Sequence, residues 1–322
     1  MRTAVVGCGA LGSFYGAKLC QAGHDVHFLL RSDYEVVRKR GVFIRSIDGD
    51  FRAHPKCARA PEEIGACDLV LIGLKTTAQD QFPRLLPPLV GQGSIVLSLQ
   101  NGLGDEEALA ALLGPQNILG GLCFVCLNRV EPGVIIHSAH GKIVLGEFAS
   151  RPKPRTQVIA DLWRHAGVPC EVCENLAAAH WVKLVWNIPF NGLGVASAAG
   201  YEAVLAGAVR PDAPIGPCLA TDALLSDPRW EKLVRELMWE VISAARAKGY
   251  CIPDAVVDHQ VERTRMMQAY RASTLVDFEH GKPLELESMF REPLRQAKAA
   301  GIATPGLATL CEVLNALEAR HH

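Results

Sequence analysis

Apolar and polar residues alternate along the first half of the chain in blocks that predict strands and helices in turn. Short apolar runs at Thr3–Val6, Asp25–Leu30, Leu69–Leu74 and Ser94–Leu99 predict buried strands, with helical patterns between them. Such alternation is typical of an α/β fold with a doubly wound, mostly parallel sheet. Further strands are predicted at Leu122–Arg129, Gly133–His137, Lys142–Gly146 and Glu171–Cys173, and a hairpin at Gly41–Ile44 and Phe51–Ala53.

The pattern changes near Asn175, where strand signals give way to long helical stretches. The segment Gly207–Ser226, rich in Pro, Gly and Ala, predicts a loop between the first two of them. We therefore expect two domains, an α/β domain over residues 1–174 and an all-α domain over residues 175–322. The predicted helices are Ala177–Ala199, Trp230–Lys248, Pro253–Gln268, Leu284–Ala300 and Pro305–Ala319.

A glycine-rich turn follows the first predicted strand and opens the first helix. In that context Gly7 makes the tight turn, Gly9 lets the backbone approach a phosphate, and Gly12 lets helix and strand pack closely. The N–H groups at the helix N-terminus are then free to bind a pyrophosphate. The motif predicts a Rossmann-type dinucleotide-binding domain whose cofactor contacts include Gly7, Cys8, Gly9, Ala10, Leu11 and Gly12.

The end of the second strand bears on which nicotinamide cofactor is bound. NAD-binding domains usually place a carboxylate there for the ribose hydroxyl, whereas this strand ends in Arg31. A guanidinium suits a 2′-phosphate, so we expect NADP(H). The alternative is that Arg31 is a solvated surface residue. Asp33 is expected to cap the following helix in either case.

Composition and charge exclude several classes of protein. The chain has 322 residues, 49% hydrophobic and 21% charged, with a formal net charge of −1, which gives no basic field for nucleic acid. No apolar run could span a membrane, and the chain enters a strand at once, so we expect neither a membrane segment nor a signal peptide, but a cytoplasmic protein.

The chain contains 11 cysteines, an odd number that favours reduced thiols over a disulfide framework. Two pairs, Cys123 with Cys126 and Cys170 with Cys173, have the spacing of zinc ligands. Both lie in apolar, strand-like segments without zinc-knuckle residues, so buried small side chains are the preferred interpretation. No metal is implied.

A polar stripe in the first helix of the second domain is the best candidate for chemistry. Lys183, Asn187 and Asn191 recur every fourth residue and share one face of the helix, together with His180. Such groups are unfavourable in an apolar helix unless partners meet them. A lysine there can give a proton to a carbonyl oxygen or hold its developing charge. The alternative is a stripe that only ties this helix to its neighbours.

A second polar group lies near the C-terminus. Ser273 and Glu285 stand at the two ends of STLVDFEHGKPLE, and Glu287 follows in a predicted helix. The carboxylates could bind a ligand, or they could stabilise the first turn of that helix. Composition alone does not decide between these two interpretations.

These motifs, in this order, resemble those of the ketopantoate reductase family over essentially the whole chain. The matching residues are the glycine motif, Arg31, Leu74-Lys75, Gln100-Asn101-Gly102-Leu103-Gly104, Gly133-x-x-x-His137, Gly141-x-x-x-Leu145-Gly146-Glu147, Trp181-x-Lys183-Leu184-x-x-Asn187-x-x-x-Asn191, Ser273, Asp277, Glu285 and Gly301-Ile302-x-Thr304-Pro305.

The resemblance implies NADPH-dependent reduction of 2-dehydropantoate to (R)-pantoate, a 2-dehydropantoate 2-reductase activity in pantothenate and coenzyme A synthesis. It implies Lys183 as general acid and Glu285 as the partner of the substrate hydroxyl. It also implies substrate binding by Asn187, Asn191 and Ser273, placement of Asn101 beside nicotinamide and substrate, and cofactor binding by Lys75. A homodimer is the family expectation.

The chain departs from the family pattern after Glu285. Glu285 is followed by Leu286-Glu287-Ser288-Met289-Phe290, without the usual Asn-Gly, which leaves reduction of another 2-oxo acid open. A β-hydroxyacid dehydrogenase also carries a lysine and an asparagine four residues apart, but with a glycine-rich approach to the lysine that is absent here. A non-catalytic NADP sensor is a further alternative, and His180 is the alternative acid.

Overall fold

The computed structural model of the protein describes residues 1–320. The described residues form two compact units, Met1–Ala177 and a second unit that begins at Ala178. The division lies beside the boundary that the sequence predicts, residue 174. No helix among residues 1–320 is both long and apolar enough to cross a membrane.

The first unit is built on one mixed sheet of ten strands, in the order β4-β3-β9-β8-β7-β6-β1-β2-β5, with β10 beside β9. Its centre, β2-β1-β6-β7-β8, is parallel throughout, as the sequence predicts. The strands are β1 (Arg2–Val6), β2 (Asp25–Leu29), β3 (Val42–Ser46), β4 (Phe51–Ala53), β5 (Lys56–Ala58), β6 (Cys67–Ile72), β7 (Val90–Ser98), β8 (Ile118–Glu131), β9 (Val134–Glu147) and β10 (Cys170–Val172).

Both faces of this sheet are buried. In β1, Val5 belongs to one apolar core, while Ala4 and Val6 belong to a second core on the opposite face. Helices cover the two faces, so the predicted doubly wound arrangement is confirmed. They are α1 (Ala10–Gln21), α2 (Tyr34–Arg40), α3 (Pro61–Ile64), α4 (Phe82–Leu85), α5 (Asp105–Leu113) and α6 (Pro154–His165), with 3₁₀ turns at Thr76–Gln81, Pro87–Leu89 and Pro115–Asn117.

The predicted hairpin at residues 41–53 forms, with β3 antiparallel to β4. In contrast, the strands predicted at 133–137 and 142–146 are wrong as separate elements, because both belong to β9. The register with β8 shifts between Phe124, which lies opposite Lys142, and Val125, which lies opposite His140, so Gly141 is the extra residue. The φ values of His140 and Gly141 are 63° and 130°. These conformations form a β-bulge, which bends the strand without ending it.

The second unit is helical, as predicted. The long helix α7 (Leu176–Ala196) passes through Pro189 and ends in a 3₁₀ turn at Ser197–Ala199. The other helices are α8 (Tyr201–Ala206), α9 (Thr221–Ser226), α10 (Pro228–Ala247), α11 (Ala255–Met266), α12 (Ser273–Glu279), a π-helix at Glu287–Arg291, α13 (Glu292–Ala299) and α14 (Pro305–Glu318).

The sequence prediction fails at several places in this unit, including α8, which has no predicted counterpart. The segment 207–226 is not wholly a loop, since α9 occupies its end, and α12 has no predicted counterpart. The helix predicted from Leu284 begins at Leu286 and continues as the π-helix Glu287–Arg291, so Glu285 precedes its first turn. Glu285 is therefore not one of the first-turn acids.

Candidate active site

Four loops with predicted cofactor residues leave the sheet at one edge. Val6 lies in register with Leu29 on one side and Ile72 on the other, and Ile72 lies opposite Ser98. Because these strands are parallel, the loops after them start side by side. This edge is where open α/β sheets bind their ligands. The loops carry Gly7 to Gly12, Arg31, Lys75 and Asn101.

The three motif glycines have different surroundings. A Cβ on Gly7, which has φ +93°, would lie 2.2 Å from the backbone nitrogen of Leu74, and one on Gly12 would lie 2.2 Å from the carbonyl oxygen of Gly7. A Cβ on Gly9 would meet no atom within 4 Å. Gly7 and Gly12 are thus required for packing, whereas Gly9 borders open space in front of α1.

The N-terminus of α1 fits an anion. Its first residue is Ala10, and no side chain among the described residues caps it. Cys8 does not point its thiol at this space, since Sγ donates to the carbonyl oxygen of Val5 at 3.5 Å. Burial, followed by the neighbouring Cys57, raises the pKa of the Cys8 thiol well above its ordinary value. Cys8, Ala10 and Leu11 can contribute backbone N–H groups to a pyrophosphate.

The Gln100 side chain joins two of these loops. Its Nε2 donates to the carbonyl oxygen of Leu74 at 2.9 Å, and its backbone N–H donates to the Ser98 hydroxyl at 3.3 Å. Leu74 precedes the exposed Lys75, and Gln100 precedes the half-buried Asn101. The structure therefore brings the segments that carry Lys75 and Asn101 together.

Asp105 makes a further contact with this network, through Ser98. It is fully buried at the start of α5 and accepts a hydrogen bond from the Ser98 hydroxyl. Burial, and then the negative charge of the neighbouring Glu106, raises the pKa of the Asp105 carboxyl well above its ordinary value. Its other oxygen, Oδ1, is buried without a hydrogen-bond partner. Burial of this carboxyl, with a single hydroxyl donor to Oδ2, favours its uncharged form over its charged form.

We expect replacement of Asp105 by Asn to flatten the pH dependence of stability. A carboxyl whose pKa is raised by folding binds its proton more tightly in the native state, so stability falls as pH rises above the ordinary Asp value. Thermal unfolding from pH 5 to 8.5 should show a smaller fall in Tm for Asp105→Asn than for the parent. Glu107→Gln, at an exposed position two residues further along α5, should keep the parental slope. Equal slopes for Asp105→Asn and the parent would mean that Asp105 is ionised when folded.

Arg31 and Asp33 differ in the hydrogen bonds and ion pairs that their side chains form. Arg31 is exposed, and among residues 1–320 its guanidinium has neither a hydrogen bond nor an ion pair. The prediction that Asp33 caps α2 is wrong, because its side chain makes no capping bond. Asp33 is instead buried and pairs with Arg129, which reaches it from the sheet.

In the second unit, the polar stripe lies on one uninterrupted helix. Lys183 is half-buried, while Asn187 and Asn191 are 7% and 2% exposed. Since α7 is continuous from Leu176 to Ala196, their spacing of four residues places them along one face.

Asn191 and Ser273 are brought into contact. The Asn191 Oδ1 accepts a hydrogen bond from the Ser273 hydroxyl at 3.3 Å and one from the backbone N–H of Thr274 at 3.0 Å. The second bond fixes the orientation of the amide, because Nδ2 cannot accept from an N–H group. Asn191 therefore presents hydrogen-bond donors, which suits a carboxylate or a carbonyl oxygen.

The two glutamates after α12 have different environments. Glu285 is 6% exposed. The side chain of Glu287 is 58% exposed and pairs with Arg291 and Arg295 in solvent. Ser288, which is 3% exposed, lies in the π-helix that follows. π-helical turns often occur at functional sites. Glu285, and not Glu287, is the carboxylate suited to a buried ligand.

The cysteine pairs do not converge on a metal site. Cys123 and Cys170 are buried, and burial raises the pKa of the Cys170 thiol to about 12. Within residues 1–320, no group of three or more Cys, His, Asp or Glu side chains could hold a metal ion. A protonated thiol at neutral pH is a poor metal ligand.

Sequence reasoning missed the roles of Gln100, Asp105 and Arg129. Gln100 belongs to a motif that the sequence analysis quotes, but its link to Leu74 depends on the packing of two loops. Arg129 lies 96 residues from Asp33 and carries no local signal. In the sequence Asp105 has the pattern of an ordinary acid in the first turn of a helix, and only the structure shows that it is buried.

Sequence comparison relates both units to one family. Residues 3–150 match the family model described as "Ketopantoate reductase PanE/ApbA", and residues 203–318 match "Ketopantoate reductase PanE/ApbA C terminal". A 2-dehydropantoate 2-reductase from Nostoc sp. is 40% identical over 99% of this chain and 95% of its own length.

Solved structures share the fold over nearly the whole chain. A 2-dehydropantoate 2-reductase from Geobacter metallireducens has 45% identity and a TM-score of 0.89, and the match covers 98% of this chain and 99% of the other. A D-mandelate dehydrogenase with NADH and anilino(oxo)acetate has a TM-score of 0.85 at 19% identity, with 100% and 99% covered. At that identity the likeness concerns the fold alone.

Proposed function

Because the chain belongs to the ketopantoate reductase PanE/ApbA family, we propose that it reduces 2-dehydropantoate to (R)-pantoate with NADPH. It is an oxidoreductase that acts on a CH–OH group. The reaction would supply pantoate for pantothenate and coenzyme A synthesis.

The polar face of α7 carries this proposal. A 2-oxo acid needs donors for its carboxylate and a proton source for the carbonyl oxygen, which becomes a hydroxyl. Asn191 has its Oδ1 engaged by Ser273 and Thr274 and so offers N–H donors. Lys183 lies two helical turns away on the same face. This face therefore combines anion recognition with a cationic acid.

Lys183 is the proposed general acid. When bound, the reduced nicotinamide supplies the hydride. Negative charge then develops on the carbonyl oxygen, where the Lys183 Nζ stabilises it and delivers a proton. In the proposed assignment Asn187 and Ser273 orient the substrate by hydrogen bonds, and Asn101 takes the role that the family resemblance gives it, binding nicotinamide and substrate. The buried Glu285 accepts a hydrogen bond from the 4-hydroxyl that 2-dehydropantoate carries.

The cofactor proposal rests on the loops at the carboxyl edge of the sheet. The open space before Gly9 and the uncapped N-terminus of α1 fit a pyrophosphate. The exposed Arg31, with no partner among the described residues, suits a 2′-phosphate. Lys75 is exposed at the next loop and adds a cation on the same edge.

Oxidation of NADPH, followed by absorbance, tests the proposal with 2-dehydropantoate and with trimethylpyruvate, which lacks only the hydroxyl oxygen. We expect kcat/KM to favour 2-dehydropantoate by about tenfold or more, because trimethylpyruvate lacks the hydroxyl from which Glu285 is proposed to accept a hydrogen bond. NADH is the control for the cofactor. Equal rates with both acids would argue against recognition of the hydroxyl by Glu285.

Reduction of a different 2-oxo acid is the second candidate function. The observation that favours it is the π-helix at Glu287–Arg291, which coincides with the departure from the family pattern and buries Ser288 and Met289 just after Glu285. A panel of 2-oxo acids with larger side chains distinguishes the two candidates. If the enzyme prefers one of these acids to 2-dehydropantoate, the proposed role of Lys183 stands and the proposed substrate changes.

A further inference from the structure

Asp33 lies four residues after β2, in the loop that follows the strand end where dinucleotide-binding domains that use NAD place a ribose-binding carboxylate. Its side chain is nevertheless only 7% exposed. A carboxylate at this place is either a ligand for the ribose hydroxyl or a repulsive charge for a 2′-phosphate. Its partners decide which of these it is.

Both oxygens of Asp33 are fully engaged. Oδ1 accepts hydrogen bonds from the Ser32 hydroxyl at 2.9 Å and from the Arg129 Nη2. Oδ2 accepts from the Arg129 Nε at 3.0 Å and from the backbone N–H of Gly133 at 3.2 Å. A carboxylate has about four lone-pair sites, and these contacts use all of them. No acceptor remains for a ribose hydroxyl.

The donors come from a distant part of the chain. Arg129 lies near the end of β8, and Gly133 lies in the turn that leads into β9. Gly133 has φ +71°, a conformation that favours glycine, and its carbonyl accepts from the N–H of Phe43. The turn is thus fixed against β3 as well as against Asp33.

The two charged side chains in the loop after β2 differ in whether a counterion neutralises them. Arg129 neutralises Asp33 through a bidentate contact, the strongest form of such an ion pair. Arg31, two residues before Asp33, keeps its guanidinium uncommitted among residues 1–320. The end of β2 therefore presents a positive charge without a competing negative one.

We propose that Arg129 determines the preference for NADPH over NADH by holding the Asp33 carboxylate away from the ribose site. Arg129 is a positioning residue in this role, since it acts through Asp33 and leaves the 2′-phosphate to Arg31. The inference rests on the proposed use of NADP(H).

Binding of NADPH and NADH to Arg129→Met tests the inference without any need for turnover. Methionine keeps much of the apolar stem but releases Asp33. We expect the ratio of the two dissociation constants, measured by protein fluorescence, to move toward NADH by about tenfold or more, because the freed carboxylate repels the 2′-phosphate and can accept from a 2′-hydroxyl. The double variant Asp33→Asn/Arg129→Met should recover the parental ratio, since it has no free carboxylate.

An equal change for both cofactors in Arg129→Met would overturn the inference, because a merely structural role weakens both alike. Persistence of the shift in the double variant would overturn it too. If Arg129→Met does not fold, Arg129→Lys carries the test, since lysine cannot make the bidentate contact and should give a smaller shift in the same direction.

Binding of both cofactors to the parent protein distinguishes failure of this inference from failure of the proposed function. A parent that binds NADH more tightly than NADPH removes the NADP proposal, and the inference falls with it. A parent that prefers NADPH, with the same preference in Arg129→Met, removes the inference alone. Arg31→Ala is the reference variant, which should weaken NADPH and leave NADH unchanged.

Discussion

Replacement of Lys183 by Met is expected to lower kcat by a factor of about 10²–10⁴, the usual contribution of a positioned general acid. Methionine keeps the length of the apolar stem, which matters because Lys183 is half-buried next to the fully buried Leu184. NADPH binding, measured by fluorescence, should change little, because the proposed cofactor contacts of the first unit are untouched. The measurements are kcat with 2-dehydropantoate and the dissociation constant of NADPH.

His180 provides the matched control for Lys183. It lies one helical turn earlier on α7 and is 5% exposed, and it is the alternative acid. His180→Gln should retain turnover within a few-fold if Lys183 is the proton donor. Loss of turnover in His180→Gln, together with near-parental kcat in Lys183→Met, would transfer the role to His180.

Gly9→Ala is expected to weaken NADPH binding by about tenfold or more, about 1.4 kcal/mol, and to leave thermal stability nearly unchanged. The added methyl would meet no protein atom within 4 Å, so folding is not impeded. It would instead stand in the open space before α1, where the phosphates are proposed to bind. Differential scanning fluorimetry and NADPH titration measure the two effects separately.

Two other glycines serve as controls for Gly9→Ala. Gly7→Ala should lower Tm, because its φ of +93° disfavours a side chain and its Cβ would lie 2.2 Å from the Leu74 nitrogen. Gly216→Ala, in the second unit, should affect neither property, since the nearest atom to its Cβ lies 3.5 Å away. Parental NADPH affinity in Gly9→Ala would mean that the glycine turn serves packing alone.

The periodicity of the chain predicted the α/β and helical architecture because burial on both sheet faces produces continuous apolar strands. The strand around Val5 and the strand Cys67–Ile72 are examples. The bulge at His140 escaped prediction, since its φ of 63° depends on pairing with β8. The π-helix after Glu285 also has no sequence signal, because one inserted residue leaves the local composition unchanged.

For the candidate site, local motifs indicated the glycine turn, the Lys183 stripe and Ser273, because each follows from spacing or resemblance. Contacts between segments that are far apart in the sequence could not be predicted. The bond between Gln100 and Leu74 depends on the packing of two loops. Asp33 is the clearest example. Its position before α2 predicted that its side chain caps the helix, but the side chain forms a stronger contact, an ion pair, instead.

The engagement of Asp33 has a consequence for protein engineering. An exchange of cofactor preference between related enzymes could start from a graft of the β2 loop, because this loop carries the residues that meet the ribose. In this chain the unit that must be transplanted comprises the loop, the end of β8 and the turn into β9, because Arg129 and Gly133 saturate the carboxylate from these two places. A graft that omits the end of β8 would install an acid with no counterion, and its behaviour would reflect the missing partner more than the loop.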